Sequence, residues 1–150
     1  MALQRATVLN ALFNLVSASS TFATASRRLQ FWTETIAMPA LFMRYTGEDW
    51  KQPQSYGVPQ EVVFKVEVWI YVQNGAPDNP PDAAIMPLLD ALDTALQANS
   101  SFGGRQTLGL DGYVIHAWRE GETTIAQGEP ANVAIMIVPL SVAVNATLGT

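Results

Sequence analysis

The chain has 150 residues and a net charge of −5, with 49% apolar and only 14% charged residues. This length fits one compact domain spanning residues 1–150. The absence of cysteine excludes a disulfide framework, a thiolate zinc site and a cysteine nucleophile. Arg27-Arg28 is the only adjacent basic pair, which argues against an electrostatic grip on nucleic acid. A chain with so few charges must either bury most of its apolar residues or cover them with a partner, which points toward association.

The first element is predicted to be an amphipathic helix over Leu3–Ser17. Leu9, Leu12, Phe13 and Val16 recur there at the spacing of one helix face. The same region superficially resembles a secretory signal, but two asparagines interrupt its apolar stretch, so we expect a helix instead. No stretch reaches the roughly 18 to 20 apolar residues that a membrane-spanning helix needs, so no membrane partner is expected.

Two short strands are predicted next, over Arg27–Thr33 and Ala40–Tyr45. The glycines and prolines of Thr46–Pro59 predict a loop. This loop holds two aromatic residues, Trp50 and Tyr56. They either fold back onto their own domain or contact a partner, and we take them as candidate partner contacts.

Strict alternation over Gln60–Gln73 predicts a long strand that is buried on one face and half-exposed on the other. The face predicted to be buried consists of Val62, Phe64, Val66, Val68, Ile70 and Val72. The opposite face carries Trp69 and Tyr71 among polar residues, and both types suit the core of an interface. The strand would span about 40 Å, whereas a domain of this size has a radius of gyration of about 15 Å. We therefore expect it to cross or overhang the domain, and we take Trp69 and Tyr71 as candidate interface residues.

The second half of the chain is predicted to begin with a helix over Ala83–Ala98. Four further strands follow, over Gln106–Leu108, Tyr113–Arg119, Thr123–Gln127 and Val133–Val144. The last is apolar at nearly every position, and Pro139 within it indicates a sheet edge or a bend. The order of elements predicts an α+β fold, with two helices packed on one face of a mostly antiparallel sheet that has a long central strand.

Residues with catalytic or metal-binding chemistry are scarce. The single histidine, His116, lies in a predicted strand, where we expect it to pack or hydrogen-bond. Neither a Gly-x-Ser-x-Gly elbow nor a Gly-Lys-Ser/Thr phosphate loop occurs. The paired carboxylates, Glu48/Asp49, Asp90/Asp93 and Glu120/Glu122, are assigned to turns or solvent-facing positions. We therefore expect no enzyme, and no catalytic, cofactor-binding or metal-binding residue.

Several short patches follow one another along most of the chain. They are Ser26-Arg27-Arg28, Met38-Pro39-Ala40-Leu41-Phe42-Met43, Trp69-Ile70-Tyr71, Pro87–Leu92, Gln106-Thr107-Leu108-Gly109 and His116–Glu122. Their order and spacing resemble the tail terminator (tail completion) proteins of long-tailed bacteriophages. Met38 stands where that family frequently has glutamine.

The resemblance implies a structural virion protein without an active site. Members of that family form a homo-oligomeric ring, commonly of six subunits, at the junction of tail and neck. The ring caps the tail tube protein, docks to the head–tail connector protein, and lets DNA pass through its lumen without specific binding. It would be assembled in the host cytoplasm and located in the virion. The alternatives are another head–tail connector or tail-tube subunit, a small non-viral α+β binding protein, or an enzyme of unrecognised mechanism.

Overall fold

The computed structural model describes residues 4–30, 37–51, 60–73, 81–99, 104–127 and 133–146. In chain order the elements are α1 (Arg5–Ser17), β1 (Thr24–Ser26), β2 (Ala40–Trp50), β3 (Glu61–Gln73), a 3-10 turn (Pro81–Ala84), α2 (Met86–Ala95), β4 (Val114–Arg119), β5 (Thr124–Gln127) and β6 (Val133–Asn145). Both predicted helices form. The second is shorter than expected, because its first residues make the 3-10 turn and its regular part ends at Ala95.

The six strands form one sheet in the order β1-β2-β3-β6-β4, and β5 also pairs with β6. Every neighbouring pair is antiparallel except β1 and β2, which are parallel. The apolar faces of both helices contribute to the same core as one face of the sheet, which we call the helix side. The predicted α+β fold is therefore confirmed.

The main core lies between the two helices and the helix side of the sheet. α1 contributes Val8, Leu12 and Val16, and α2 contributes Leu88 and Leu92. The sheet contributes the predicted buried face of β3, in which Val62, Phe64, Val66, Val68 and Ile70 are at most 1% exposed. Alternate side chains of a strand share a face, so these apolar residues of β3 all point toward the helices and pack against the apolar faces of α1 and α2 in one layer.

The long strand β3 is the centre of the sheet and does not overhang it. It pairs with β6 over its whole length and with β2 over Val62–Tyr71. Of the two alternatives expected from the sequence, the strand crosses the domain and does not overhang it. The physical reason is that β6, with 13 residues, is as long as β3 and β2, with 11, is nearly so, and together they pair with both of its edges.

Pro139 lies inside the sheet at the point where β6 changes partners. β4 pairs with β6 from Leu140 onward, and β5 pairs with it up to Ile137. The Pro139 carbonyl accepts a hydrogen bond from the Glu120 N–H at 3.2 Å, so its backbone groups face the turn between β4 and β5. The missing N–H of Pro139 therefore removes no hydrogen bond between strands. The predicted sheet edge is limited to the short gap between β4 and β5, where Pro139 has no strand partner on that side.

The N-terminal strands differ most from the prediction. The strand expected over Arg27–Thr33 does not form in the described part: β1 ends at Ser26, residues 27–30 lie in no strand, and residues 31–33 lie outside the described ranges. β2 continues through Thr46–Trp50, which was predicted to be loop. The register shifts between Tyr45 and Gly47, so Gly47 marks a β-bulge and not the end of the strand.

The segment Gln106–Leu108 does not form the predicted strand. Its backbone nevertheless runs beside β4, because the Ala117 N–H donates to the Gln106 carbonyl at 2.9 Å. Leu108 has a positive φ of 57°, which turns the chain away before a second ladder bond can form. One hydrogen bond covers part of the outer edge of β4 without extending the sheet.

Candidate assembly surfaces

Trp50 is the most exposed of the predicted contact residues that the structure describes. It ends β2 on the helix side, opposite Val62 of β3, and its side chain is 46% exposed. Its indole N–H donates to Glu48 Oε2 at 3.0 Å. Its role as a partner contact stays a prediction. Tyr56, the other candidate of this region, lies outside the described residues.

Glu48 joins the start of α1 to the end of β2. The Arg5 guanidinium donates to both carboxylate oxygens, with Nη2 at 3.0 Å from Oε2, and the Tyr45 hydroxyl donates to Oε1. The hydrogen bonds from Arg5 hold the pKa of Glu48 at about 2, below its ordinary value of 4.5. Burial raises the pKa of Tyr45 to about 12, and its bond to Glu48 acts in the same direction. These contacts hold an ionised carboxylate beside Trp50.

Tyr71 is a structural residue and not part of the surface. Its side chain is 1% exposed, its ring centroid lies 5.5 Å from that of Phe42, and its hydroxyl donates to the Gln30 carbonyl at 2.7 Å. It belongs to a second small core with Ala40 and Val133, on the face of the sheet opposite the helices. We call this face the outer face. The prediction that Tyr71 is exposed is wrong, because Leu29 and Met38 pack against this small core and Gln30 binds the Tyr71 hydroxyl.

Trp69 lies next to this second core, on the open part of the outer face. It pairs across the sheet with Phe42 on one side and Ile137 on the other, and it is half-buried. Two further half-buried apolar residues, Ile135 and Pro139, follow along β6. Since alternate residues of β6 share this face, an apolar strip runs along the centre of the sheet. Trp69 remains a candidate contact residue.

A polar group borders the apolar strip on the outer face. Lys65 Nζ lies 3.0 Å from Glu120 Oε2 and donates to Ser141 Oγ at 3.2 Å, while the Ser141 hydroxyl donates to Glu120 at 2.6 Å. The hydrogen bond from Ser141, together with that from Lys65, holds the pKa of Glu120 below its ordinary value. Ser141 is buried at 1% exposure, and its hydroxyl both donates and accepts a hydrogen bond within the group. The buried hydroxyl of Ser141 is therefore satisfied by Lys65 and Glu120.

His116 has a structural environment. Its Nδ1 accepts a hydrogen bond from the Gln106 N–H at 3.1 Å, and its ring stacks on Trp118 with centroids 5.5 Å apart. Burial, followed by the charge of Arg105, lowers the pKa of His116, which favours the neutral form of the ring. A neutral histidine whose Nδ1 is occupied fits the packing and hydrogen-bonding role expected from the sequence.

An open groove of about 590 Å³ lies between the C-terminal halves of α1 and α2. Small apolar and amide side chains line it, among them Ala11, Asn14, Ala95, Ala98 and Gln97. None of its lining residues is titratable. Among the described residues, no group of three or more histidine, aspartate or glutamate side chains could hold a metal ion. The described part of the chain also contains no helix that is long and apolar enough to cross a membrane.

Two further exposed apolar residues were not predicted from the sequence. Ile125 of β5 is 41% exposed and Met86, at the start of α2, is 52% exposed. β5 lies at the edge of the sheet, with Thr124 and Ala126 exposed on its other face. The absence of any charge in its four residues was the available signal, since edge strands usually carry one.

No protein-family model matches this sequence, and no curated protein matches it. Among solved structures, one similar chain belongs to the "Virion of native gene transfer agent (GTA) particle". The two chains are 14% identical and superpose with a TM-score of 0.51, over 96% of this chain and 95% of that one. This likeness shows a shared fold. It extends over nearly the full length of both chains, so it is a likeness of the overall fold and not of one motif alone.

Proposed function

We propose that this chain is a structural subunit of a phage-like virion. It forms a ring that caps the tail tube, ends tail elongation and joins the tail to the capsid neck. The observation that carries the proposal is the fold shared with a chain of the gene transfer agent virion over nearly the full length of both. The finer role, and a ring of six subunits, are supported by the sequence patches that resemble tail terminators.

The surfaces of the domain are consistent with assembly. Trp50, Met86 and Ile125 are large apolar residues that water reaches in the single chain, and the apolar strip beside Trp69 is only half-covered. A contiguous apolar strip is the kind of surface that marks contacts between proteins, whereas single exposed apolar residues are common on monomers. The proposed partners are further copies of this chain, the tail tube protein and the head–tail connector protein.

The charge of the chain supports a lumen that does not bind DNA. Four of the eight basic residues, namely Arg5, Lys51, Lys65 and Arg119, are held in ion pairs with carboxylates. A cation already paired with a carboxylate contributes little to the release of counterions from a phosphate backbone. Passing DNA therefore meets an acidic protein with half of its cations neutralised.

The native mass of the purified chain, with negative-stain images of the same sample, tests the ring. A discrete six-fold ring supports the proposal. A long open tube would assign the chain to the tail-tube class instead. A monomer at tens of micromolar would contradict the proposal and favour a small non-viral binding protein.

The capping role needs a separate measurement in assembling particles. Particles made without this chain should have tails of uncontrolled length and no attached heads. Tails of normal length in its absence would show that another protein ends their elongation, even where the purified chain forms a ring.

A further inference from the structure

Within the described ranges, β2 and β5 each have an outer edge that no strand pairs with over most of its length, and both edges carry an exposed apolar side chain. On the β2 side, β1 pairs only with residues 40–42. Within the described ranges, no strand pairs with the outer edge of β2 from Met43 to Trp50. On the other side, no described strand pairs with β5 beyond its contact with β6. Unpaired strand edges are templates for pairing with another chain.

The hydrogen-bond pattern shows which residues of β5 point outward. The Pro139 carbonyl faces the β4–β5 turn, and the Asn145 N–H donates to Tyr113 on the same side. Alternate residues of a strand direct their backbone groups to the same side, so Ile135 and Ile137 of β6 also face this side. They pair there with Ala126 and Thr124 of β5. The backbone N–H and carbonyl of Ile125 therefore point away from the sheet, at the free edge.

The same reasoning identifies the outward residues of β2. The Pro39 carbonyl accepts a bond from the Ala23 N–H towards β1, whereas the Lys51 N–H donates to the Glu61 carbonyl towards β3. Allowing for the bulge, the residues with outward backbone groups are Met43, Tyr45, Glu48 and Trp50. Their side chains lie on the helix side, as does that of Ile125, which pairs with the core residue Met136.

We propose that β5 of one copy adds to the free edge of β2 of the next copy, as an antiparallel strand. β5 runs antiparallel to β6, and β6 runs parallel to β2, so a sheet continued from copy to copy brings β5 against β2 in the antiparallel sense. In this arrangement Ile125 lies on the same face as Trp50 of the neighbour, and each covers exposed apolar surface. The contact joins two different edges, so repetition closes a ring or continues as a filament.

The two edges lie at different positions along the strand direction, and this offset fits a closed ring of tilted strands. β5 is level with residues 134–137 of β6, whereas the free edge of β2 is level with residues 138–144. Pairing the two edges shifts each copy along the strand direction by roughly five residues, or about 17 Å. Each copy contributes four strands to the continued sheet, β2, β3, β6 and β5, and together these span about 19 Å across the sheet. That corresponds to a tilt of roughly 40°, within the range of about 35–45° found in closed barrels. The inference names the contact of the proposed ring and rests on that proposal.

Engineered disulfides test the pairing directly, because the natural chain has no cysteine. Ala126 on β5 and two residues of β2, Arg44 and Asp49, are exposed and belong to the outer face. Their backbone groups point inward, so across the new contact they form non-hydrogen-bonded pairs, about 4.5 Å apart between Cα atoms, which suits a disulfide. Within one chain β2 and β5 are three strand spacings apart, about 14 Å, so any disulfide must join two copies.

Two double variants are oxidised mildly after assembly: Ala126→Cys with Arg44→Cys, and Ala126→Cys with Asp49→Cys. At least one should give a ladder of covalent oligomers up to the full ring on a denaturing gel. The control pairs Ala126→Cys with Asp90→Cys, an exposed position on α2, and should remain a single chain. If the ring forms but neither pair cross-links, strand addition is wrong while the ring stands. If the wild-type chain has the mass of a monomer, both the ring and its contact are overturned.

Discussion

The Glu48 cluster offers a direct test of how α1 is held to the sheet. Glu48→Gln keeps the shape of the side chain and removes its charge. The pKa of Glu48 falls from 4.5 to about 2 on folding, which sets an upper limit of about 3 kcal/mol for the lost stabilisation. Arg5 is 44% exposed, so solvent screens the pair, and we expect a loss of about 1 to 2 kcal/mol at pH 7.

The pH dependence follows from the direction of the shift. A carboxyl whose pKa is lowered by folding stabilises the folded state above its unfolded pKa, and this contribution disappears as the pH falls through the folded pKa. The difference in stability between wild type and Glu48→Gln should therefore be full at pH 7, decline below pH 4.5, and vanish near pH 2. Urea unfolding followed by tryptophan fluorescence, at one protein concentration, measures this difference at pH 7 and at pH 3.

Glu122→Gln is the matched control for this prediction. Glu122 is exposed and makes no hydrogen bond or ion pair with the rest of the described structure. Its variant should differ from wild type by less than about 0.5 kcal/mol at either pH. A Glu48→Gln difference that is equally small, or one that is the same at pH 3 and pH 7, would refute the ionic tie between α1 and β2.

Three further outcomes follow from the structure. Tyr71→Phe should cost about 1 kcal/mol in urea unfolding, because it leaves the part-buried Gln30 carbonyl without the hydroxyl, and no loss would mean that water replaces the bond. Gly121→Ala should cost about 1 to 2 kcal/mol in the same assay, since φ is +97°, a backbone conformation that residues with a Cβ rarely adopt, while the new Cβ at 3.4 Å from the Pro139 ring makes only an ordinary contact. A neutral effect would show that the turn relaxes. Six copies at −5 each carry −30, so the assembled protein should not shift duplex DNA in a gel at low salt. Micromolar binding that weakens steeply with salt would reveal a basic surface formed by assembly.

The fold class was predictable because the strongest patterns were local. The alternation of β3 and the helical stripe of α1 each identify a buried face from neighbouring residues alone. The extent of β2 was not predictable in this way. Gly47 reads as a loop residue in the sequence, whereas in the structure it lies at a bulge that lets the strand continue to Trp50.

The candidate surface residues were only partly predictable, because exposure depends on contacts distant in sequence. The face of Tyr71 was assigned correctly, yet its burial depends on Gln30 and Phe42, which lie far from it along the chain. Trp69, two residues earlier on the same face, packs against the same small core but is only half-buried. One period-two pattern therefore contains both a core residue and a candidate contact residue.

The free edges were the part that sequence reasoning could not reach. A strand edge is unpaired only in relation to the whole order of the sheet, and Ile125 reads in the sequence as an ordinary apolar strand residue. Once the order is known, Ile125 and Trp50 lie at opposite edges of one sheet, on the same face, with their backbone groups directed outward. Within the described residues, the chain pairs both edges of β3 internally and leaves these two edges unpaired, so their outward N–H and carbonyl groups lie where a second copy can meet them.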